Sequence, residues 1–120
     1  MKDHESEEMY LETILRLKSE KVAVRSIDIA ERLGYAKSSV SRGVNLLQDR
    51  GYIKIDDDGF IGFTQDGERK ANMIFERLQV LTKFFVSLGA DIELAEENAC
   101  RIEHVIDDKI FDLIKAKVEE

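Results

Sequence analysis

At 120 residues the chain suits one compact domain of ordinary size, or two small ones sharing a core, and a large catalytic barrel is excluded. Its 43% hydrophobic content can fill an interior, its 36% charged content exceeds the average of about a quarter, and zero proline with only seven glycines favours long helices over disorder. The net charge of −7 argues, as a total, against nucleic acid.

The N-terminal stretch Met1 to Tyr10 carries acids where a signal peptide carries cations and an apolar core, and no apolar run anywhere approaches the roughly 18 residues that cross a bilayer. The expected location is therefore the cytosol, with no membrane partner. A helix is predicted from about Ser6, a residue suited to an N-cap, with Glu7 and Glu8 in the first turn where acids suit the helix dipole. Met9, Tyr10, Thr13, Ile14 and Leu17 recur at helical spacing and define its apolar face.

A second, short helix follows Ser26, runs from Ile27 to Leu33 and stops at Gly34. A third begins almost at once, with Val40, Val44 and Leu47 as its apolar stripe and Lys37, Ser38, Ser39, Ser41 and Arg42 as polar positions. Two helices joined at Gly34-Tyr35-Ala36 match the helix-turn-helix unit, whose second helix enters the major groove by its N-terminal residues. Those five polar residues, with Arg25 and Ser26 at the start of the second helix, are the candidate DNA contacts. Gly43 costs helix propensity, and close approach of a neighbouring helix is one explanation for it.

The charge total hides a division that favours this reading. Residues 21–55 hold seven basic side chains against three acidic ones, whereas 1–20 and 56–120 are both net acidic. Phosphate attraction follows the local field, so a basic module beside an acidic one is compatible with DNA binding.

Next, Tyr52-Ile53-Lys54-Ile55 and Phe60-Ile61-Gly62-Phe63 alternate around Asp56-Asp57-Asp58-Gly59, a β-hairpin signal that turns the helix-turn-helix into a winged helix. Three aspartates at the tip would repel phosphate, so this wing is expected to stop short of the backbone or to be used sparingly. From about Thr64 to Leu88, the residues Ala71, Ile74, Phe75, Leu78, Leu81, Phe85 and Leu88 form a long apolar seam that ends at Gly89. Asp91 then caps a helix to about Ile106, and Asp107-Asp108 caps a last one. The seam exceeds what a small winged helix can cover, which predicts a homodimer and, with it, two recognition helices for a palindromic site.

Cys100-Arg101-Ile102-Glu103-His104 places a thiol, a carboxylate and an imidazole at i, i+3 and i+4 of one predicted helix, on one face. All three are first-row transition-metal ligands, and a fourth would have to come from elsewhere. Singly, each has a plainer reading: the cysteine as a small buried hydrophobe, the glutamate and histidine as solvated or hydrogen-bonded groups. Cys100 is the only cysteine, so no internal disulfide can form, as a reducing compartment would have it. Met9 would, by itself, be core packing. No nucleophile is paired with a base and no glycine-rich phosphate loop is present, so neither an enzyme nor a small organic substrate is expected.

Three segments carry a family resemblance: Glu8-Met9-Tyr10-Leu11-Glu12-Thr13-Ile14, Asp28-Ile29-Ala30-Glu31-Arg32-Leu33 and Asn98-Ala99-Cys100-Arg101-Ile102-Glu103-His104-Val105. In order and spacing the chain resembles, over nearly its whole length, the diphtheria-toxin repressor family, which includes the manganese transport regulators. The resemblance implies an N-terminal winged helix on operator DNA, a helical second domain that dimerises, and divalent Fe or Mn between the two as activator. It also implies Met9, Cys100, Glu103 and His104 as ligands of the primary, iron-type site.

The manganese branch carries an aspartate in place of Met9 and a glutamate in place of Cys100, so this site looks softer, although Glu12 matches a manganese-branch ligand. The family's second site uses a histidine in the long helix, where Arg77 and Leu78 stand here; Leu81 replaces a further acid, and Glu96 another histidine. A second site would have to be rebuilt from Glu12, Glu96 and Glu103.

The expected fold is mainly α: a winged helix-turn-helix with a small hairpin wing over residues 1–64, then a helical metal-binding and dimerisation domain over 65–120. The expected function is a Fe(II)- or Mn(II)-activated repressor of metal-uptake genes that binds a palindromic operator as a homodimer. A winged-helix regulator that needs no metal, and an acidic helical adaptor that touches no DNA, stay open on the residues alone.

Overall fold

The computed structural model describes residues 2–120, with side chains from Glu7 onward. It divides into two compact units, Met1–Asn72 and Met73–Glu120. The first contains α1 (Lys2–Glu20), α2 (Ser26–Leu33), α3 (Lys37–Asp49), β1 (Ile53–Ile55) and β2 (Ile61–Phe63). Helix α4 (Gln65–Ser87) gives its N-terminal part to the first unit and its remainder to the second, which also holds α5 (Ile92–Ile102) and α6 (Asp108–Val118).

Helix α1 starts at Lys2, earlier than its apolar pattern suggests, and the cap expected at Ser6 lies outside the residues whose side chains are described. Tyr10, Thr13, Ile14 and Leu17 are buried as their spacing predicts, and Leu11 joins them, while Met9 is only half-buried. Helix α2 begins at Ser26, one residue early, because the Asp28 carboxylate turns back to accept the Arg25 N–H at 2.8 Å and so satisfies an orphan donor of the first turn. It ends at Gly34, whose φ of 70° lets the N–H groups of Gly34 and Tyr35 both reach the Ala30 carbonyl.

Helix α3 buries Val40, Val44 and Leu47 and turns its polar positions outward. Its Gly43 has a specific reason: a Cβ there would lie 2.1 Å from Cε2 of Tyr10 on α1, too close for any side chain. The wing is antiparallel, with Ile53 opposite Phe63 and Ile55 opposite Ile61. Its turn is organised by Asp56, whose Oδ1 accepts the N–H groups of Asp58 and Phe60 at 2.9 Å each. The Ile61 N–H also donates to the Val24 carbonyl at 2.8 Å, which ties the wing to the segment before α2.

One charge cluster around the buried Glu7 carboxylate braces this unit. The Glu7 carboxylate on α1 accepts Lys70 Nζ of α4 at 2.8 Å and pairs with Arg50 at the end of α3, while Lys70 stacks on the Tyr52 ring. Burial would raise the Glu7 carboxyl, but Lys70 and Arg50 outweigh it and hold it below its ordinary value. Burial would likewise lower Lys70, and Glu7 carries it above its ordinary value instead.

In the second unit Leu78, Val80, Leu81, Ala99 and Phe111 form the core, edged by half-buried Phe75 and Phe85 among others. Leu88, expected in the seam, falls just past the end of α4 and is 69% exposed. Thr64 Oγ1 accepts the Gly67 N–H at 3.1 Å and caps α4 as its sequence position suggests. Asp91 caps α5 by accepting the Leu94 N–H at 2.9 Å, and Asp107 caps α6 by accepting the Lys109 N–H at 2.8 Å. No helix among the described residues is long and apolar enough to cross a membrane.

Candidate functional site

Helix α5 stops at Ile102, not near Ile106. Glu103 is its C-cap and His104 sits in the turn beyond, so Cys100, Glu103 and His104 do not share one continuous helical face as their spacing predicts. Arg77 of α4 donates from Nη1 to the carbonyls of Glu103, at 3.0 Å, and Ile106, at 3.3 Å, so these acceptors are satisfied outside a helix.

Glu103 nevertheless has each of the other two donors beside it. Glu103 is 1% exposed and His104 half-buried, with His104 Nε2 at 3.2 Å from Glu103 Oε1. Cys100 is exposed, and its Sγ lies within 4.8 Å of a Glu103 carboxylate oxygen. Neither Glu103 oxygen has a hydrogen-bond donor among the described residues. Burying a carboxylate without donors costs several kcal/mol unless a cation compensates. A thiol, a carboxylate and an imidazole around such a position fit a divalent transition metal.

On α1, Met9 is half-buried and its Sδ accepts a hydrogen bond from the Tyr35 hydroxyl at 3.7 Å. Tyr35 lies in the turn between α2 and α3, so the methionine sulfur is one contact away from the helix-turn-helix. Burial raises the Tyr10 phenol above its ordinary value, the neighbouring Tyr35 adds to the effect, and Arg42 opposes it. Glu12, also on α1, is buried and pairs with Arg16 at 3.8 Å. Glu96 is exposed on α5, Leu81 is fully buried core, and Arg77 is committed to the contacts above.

Of the candidate DNA contacts, Lys37, Ser38, Ser41 and Arg42 are exposed on α3, and Ser39 is half-buried with its Oγ 3.4 Å from Arg42 Nη2. Arg25 is exposed and its guanidinium stacks 4.4 Å from the centroid of the Phe60 ring in the wing, while Ser26 beside it is half-buried. Asn45 extends the exposed polar face of α3 and was not among the sequence candidates. Its position, four residues after Ser41, was the signal that would have found it.

Residues 4–59 match the N-terminal DNA-binding domain model of the iron-dependent repressors, and residues 64–120 match their metal-binding and dimerisation domain model. An uncharacterised HTH-type transcriptional regulator of Methanocaldococcus jannaschii is 30% identical over 118 residues, covering 97% of this chain and 94% of that one. The diphtheria toxin repressor of Corynebacterium diphtheriae is 31% identical over 104 residues, covering 86% and 46%. A solved manganese-dependent transcriptional repressor in complex with manganese superposes with a TM-score of 0.86 at 26% identity, covering 94% and 52%. The chain thus spans nearly all of the archaeal relative and about half the length of the other two.

Proposed function

Starting from a chain that belongs to the iron-dependent repressor family, a family of metal-dependent DNA-binding repressors and not of enzymes, we propose how this member works. It binds a palindromic operator as a homodimer in the cytosol, and Fe(II) or Mn(II) activates it. Residues 1–64 read DNA, and residues 65–120 bind metal and dimerise. Met9, Cys100, Glu103 and His104 are the ligands, Glu12 and Glu96 are the donors left for a second ion, and the regulated genes are those of metal uptake.

The observation that carries the ligand assignment is the Glu103 carboxylate: buried, without a hydrogen-bond donor among the described residues, and beside His104. When bound, the ion supplies the positive charge and fixed coordination geometry that these donors lack. Glu103 and His104 provide borderline-to-hard donors, and Met9 and Cys100 soft ones. Within the first unit, Met9 touches Tyr35 of the helix-turn-helix turn, and its neighbour Tyr10 packs on Gly43 of α3. A change in how Met9 is held is therefore felt one contact away from the exposed α3 face. The strength of activation equals the ligands' preference for the DNA-competent arrangement; a tenfold gain in DNA affinity corresponds to about 1.4 kcal/mol of coupling.

The exposed row Lys37, Ser38, Ser41 and Arg42 supports the DNA role, as does the exposed Arg25 at the start of α2. Operator binding measured with a chelator and with Fe(II) or Mn(II) under anaerobic conditions tests the reading. Metal-dependent, salt-sensitive binding is expected; equal binding with and without metal would favour a metal-independent regulator, and no duplex binding at all would favour an adaptor.

A further inference from the structure

We infer that Arg77 is a positioning residue for the metal ligands Glu103 and His104, an inference that rests on the ligand assignment above. A single guanidinium holds both sides of the turn between α5 and α6. Its Nη1 donates to the carbonyls of Glu103 and Ile106, its Nη2 pairs with Asp108 at the start of α6, and its plane stacks 5.2 Å from the centroid of the Phe111 ring. His104 lies inside the segment so gripped.

The side chain of Arg77 is 16% exposed and is itself fixed by packing on Phe111, so its donors present a rigid fork. The Glu103 carboxylate takes no hydrogen bond among the described residues and has His104 Nε2 3.2 Å away, so the backbone that Arg77 holds contributes to the placement of both side chains. His104, immediately after, is oriented by the same peptide. Metal affinity depends on ligand placement to within a fraction of an ångström, and groups that orient ligands are worth about 10–100-fold in affinity. A lysine would keep the charge but could not bridge two carbonyls and a carboxylate in one plane.

The test uses the whole chain and Mn(II) alone as probe, without DNA, by calorimetry, with thermal unfolding in chelator as the control for folding. Arg77→Lys should weaken Mn(II) binding about tenfold or more, while DNA affinity at saturating Mn(II) stays that of the parent. Asp108→Asn, at a side chain 88% exposed and so unable to disturb the core, should weaken it by a smaller factor. Should Arg77→Lys not fold, Asp108→Asn decides alone. Parent-like Mn(II) affinity in the deciding variant, with thermal stability lowered equally with and without metal, overturns the inference and leaves Arg77 a purely structural brace. Glu103→Gln, measured in parallel, separates the two levels: if it binds Mn(II) like the parent the ligand assignment fails and the inference with it, whereas if it loses Mn(II) and the Arg77 and Asp108 variants do not, only the positioning role fails.

Discussion

The ring of Tyr10 on α1 occupies the space that a side chain at position 43 of α3 would need, with only 2.1 Å between Cε2 and an added Cβ. Tyr10 follows Met9 in sequence, and Gly43 follows Arg42. The contact therefore joins the helix that carries a proposed metal ligand to the helix that presents a proposed DNA contact, inside one unit.

Gly43→Ala should lower stability, although alanine is the better helix former by about 1 kcal/mol. Overpacking against a buried ring costs roughly 1–3 kcal/mol and outweighs that gain. Urea unfolding should show a net loss for Gly43→Ala, and Tyr10→Leu should reverse most of it when the two are combined. Additive effects of the two changes would mean that the ring and the helix are not in contact.

Arg42 and Lys37 should behave differently on DNA. Arg42→Ala should cost about 1–3 kcal/mol of operator affinity if its contact is bidentate to a base, with relaxed sequence preference. Lys37→Ala should weaken all sequences alike and reduce the salt slope by about one unit. Titrations of operator and scrambled duplexes at several salt concentrations separate the two, and parent-like behaviour of both variants would remove α3 from the interface.

Acid should undo the brace around Glu7. Its folded carboxyl is held below the ordinary value, so its stabilisation is complete above the unfolded pKa and is lost as pH falls through the lowered folded one. Lys70 is raised, so its contribution is complete below the ordinary lysine value and is lost only as pH rises through the raised one. Urea midpoints should therefore fall on the acid side of the ordinary glutamate range, and Glu7→Gln should flatten that limb while lowering stability at neutral pH by about 1–3 kcal/mol. An unchanged acid limb in Glu7→Gln would assign the pH dependence to other carboxylates.

The thioether and thiol should set metal preference. Replacing Met9 by Asp and Cys100 by Glu makes the ligand set oxygen-rich, which favours the harder Mn(II). The ratio of Fe(II) to Mn(II) concentrations giving half-maximal operator binding should shift toward Mn(II) in the double variant. An unmoved ratio would show that the two side chains are packing residues.

Much of the fold could be read locally. The stripe Val40, Val44 and Leu47, the stop at Gly34, the caps Asp91 and Asp107 and the hairpin around Asp56 each depend on residues within a turn or two of one another. What could not be read depends on distant partners. Close approach of a neighbouring helix is open as the reason for Gly43, but not that the ring lies 33 positions earlier, and α5 ends four residues before its apolar pattern, where Arg77 bonds the carbonyls beyond it. The same holds for the site: the sequence singles out Cys100, Glu103 and His104, but the burial of Glu103 and its lack of hydrogen bonds among the described residues are facts of packing. Leu88 shows the converse error, since a periodic pattern does not reveal where its helix stops.

The most direct measurement is operator binding by the Glu103→Gln dimer across a titration of Mn(II) or Fe(II). The substitution keeps size and removes the charge that the buried position holds without a donor. Sedimentation should show the parent dimer, circular dichroism the parent fold, and operator affinity should stay at the chelated parent's level at every metal concentration. Metal-dependent operator binding equal to the parent's would contradict Glu103 as a ligand and the metal site built around it.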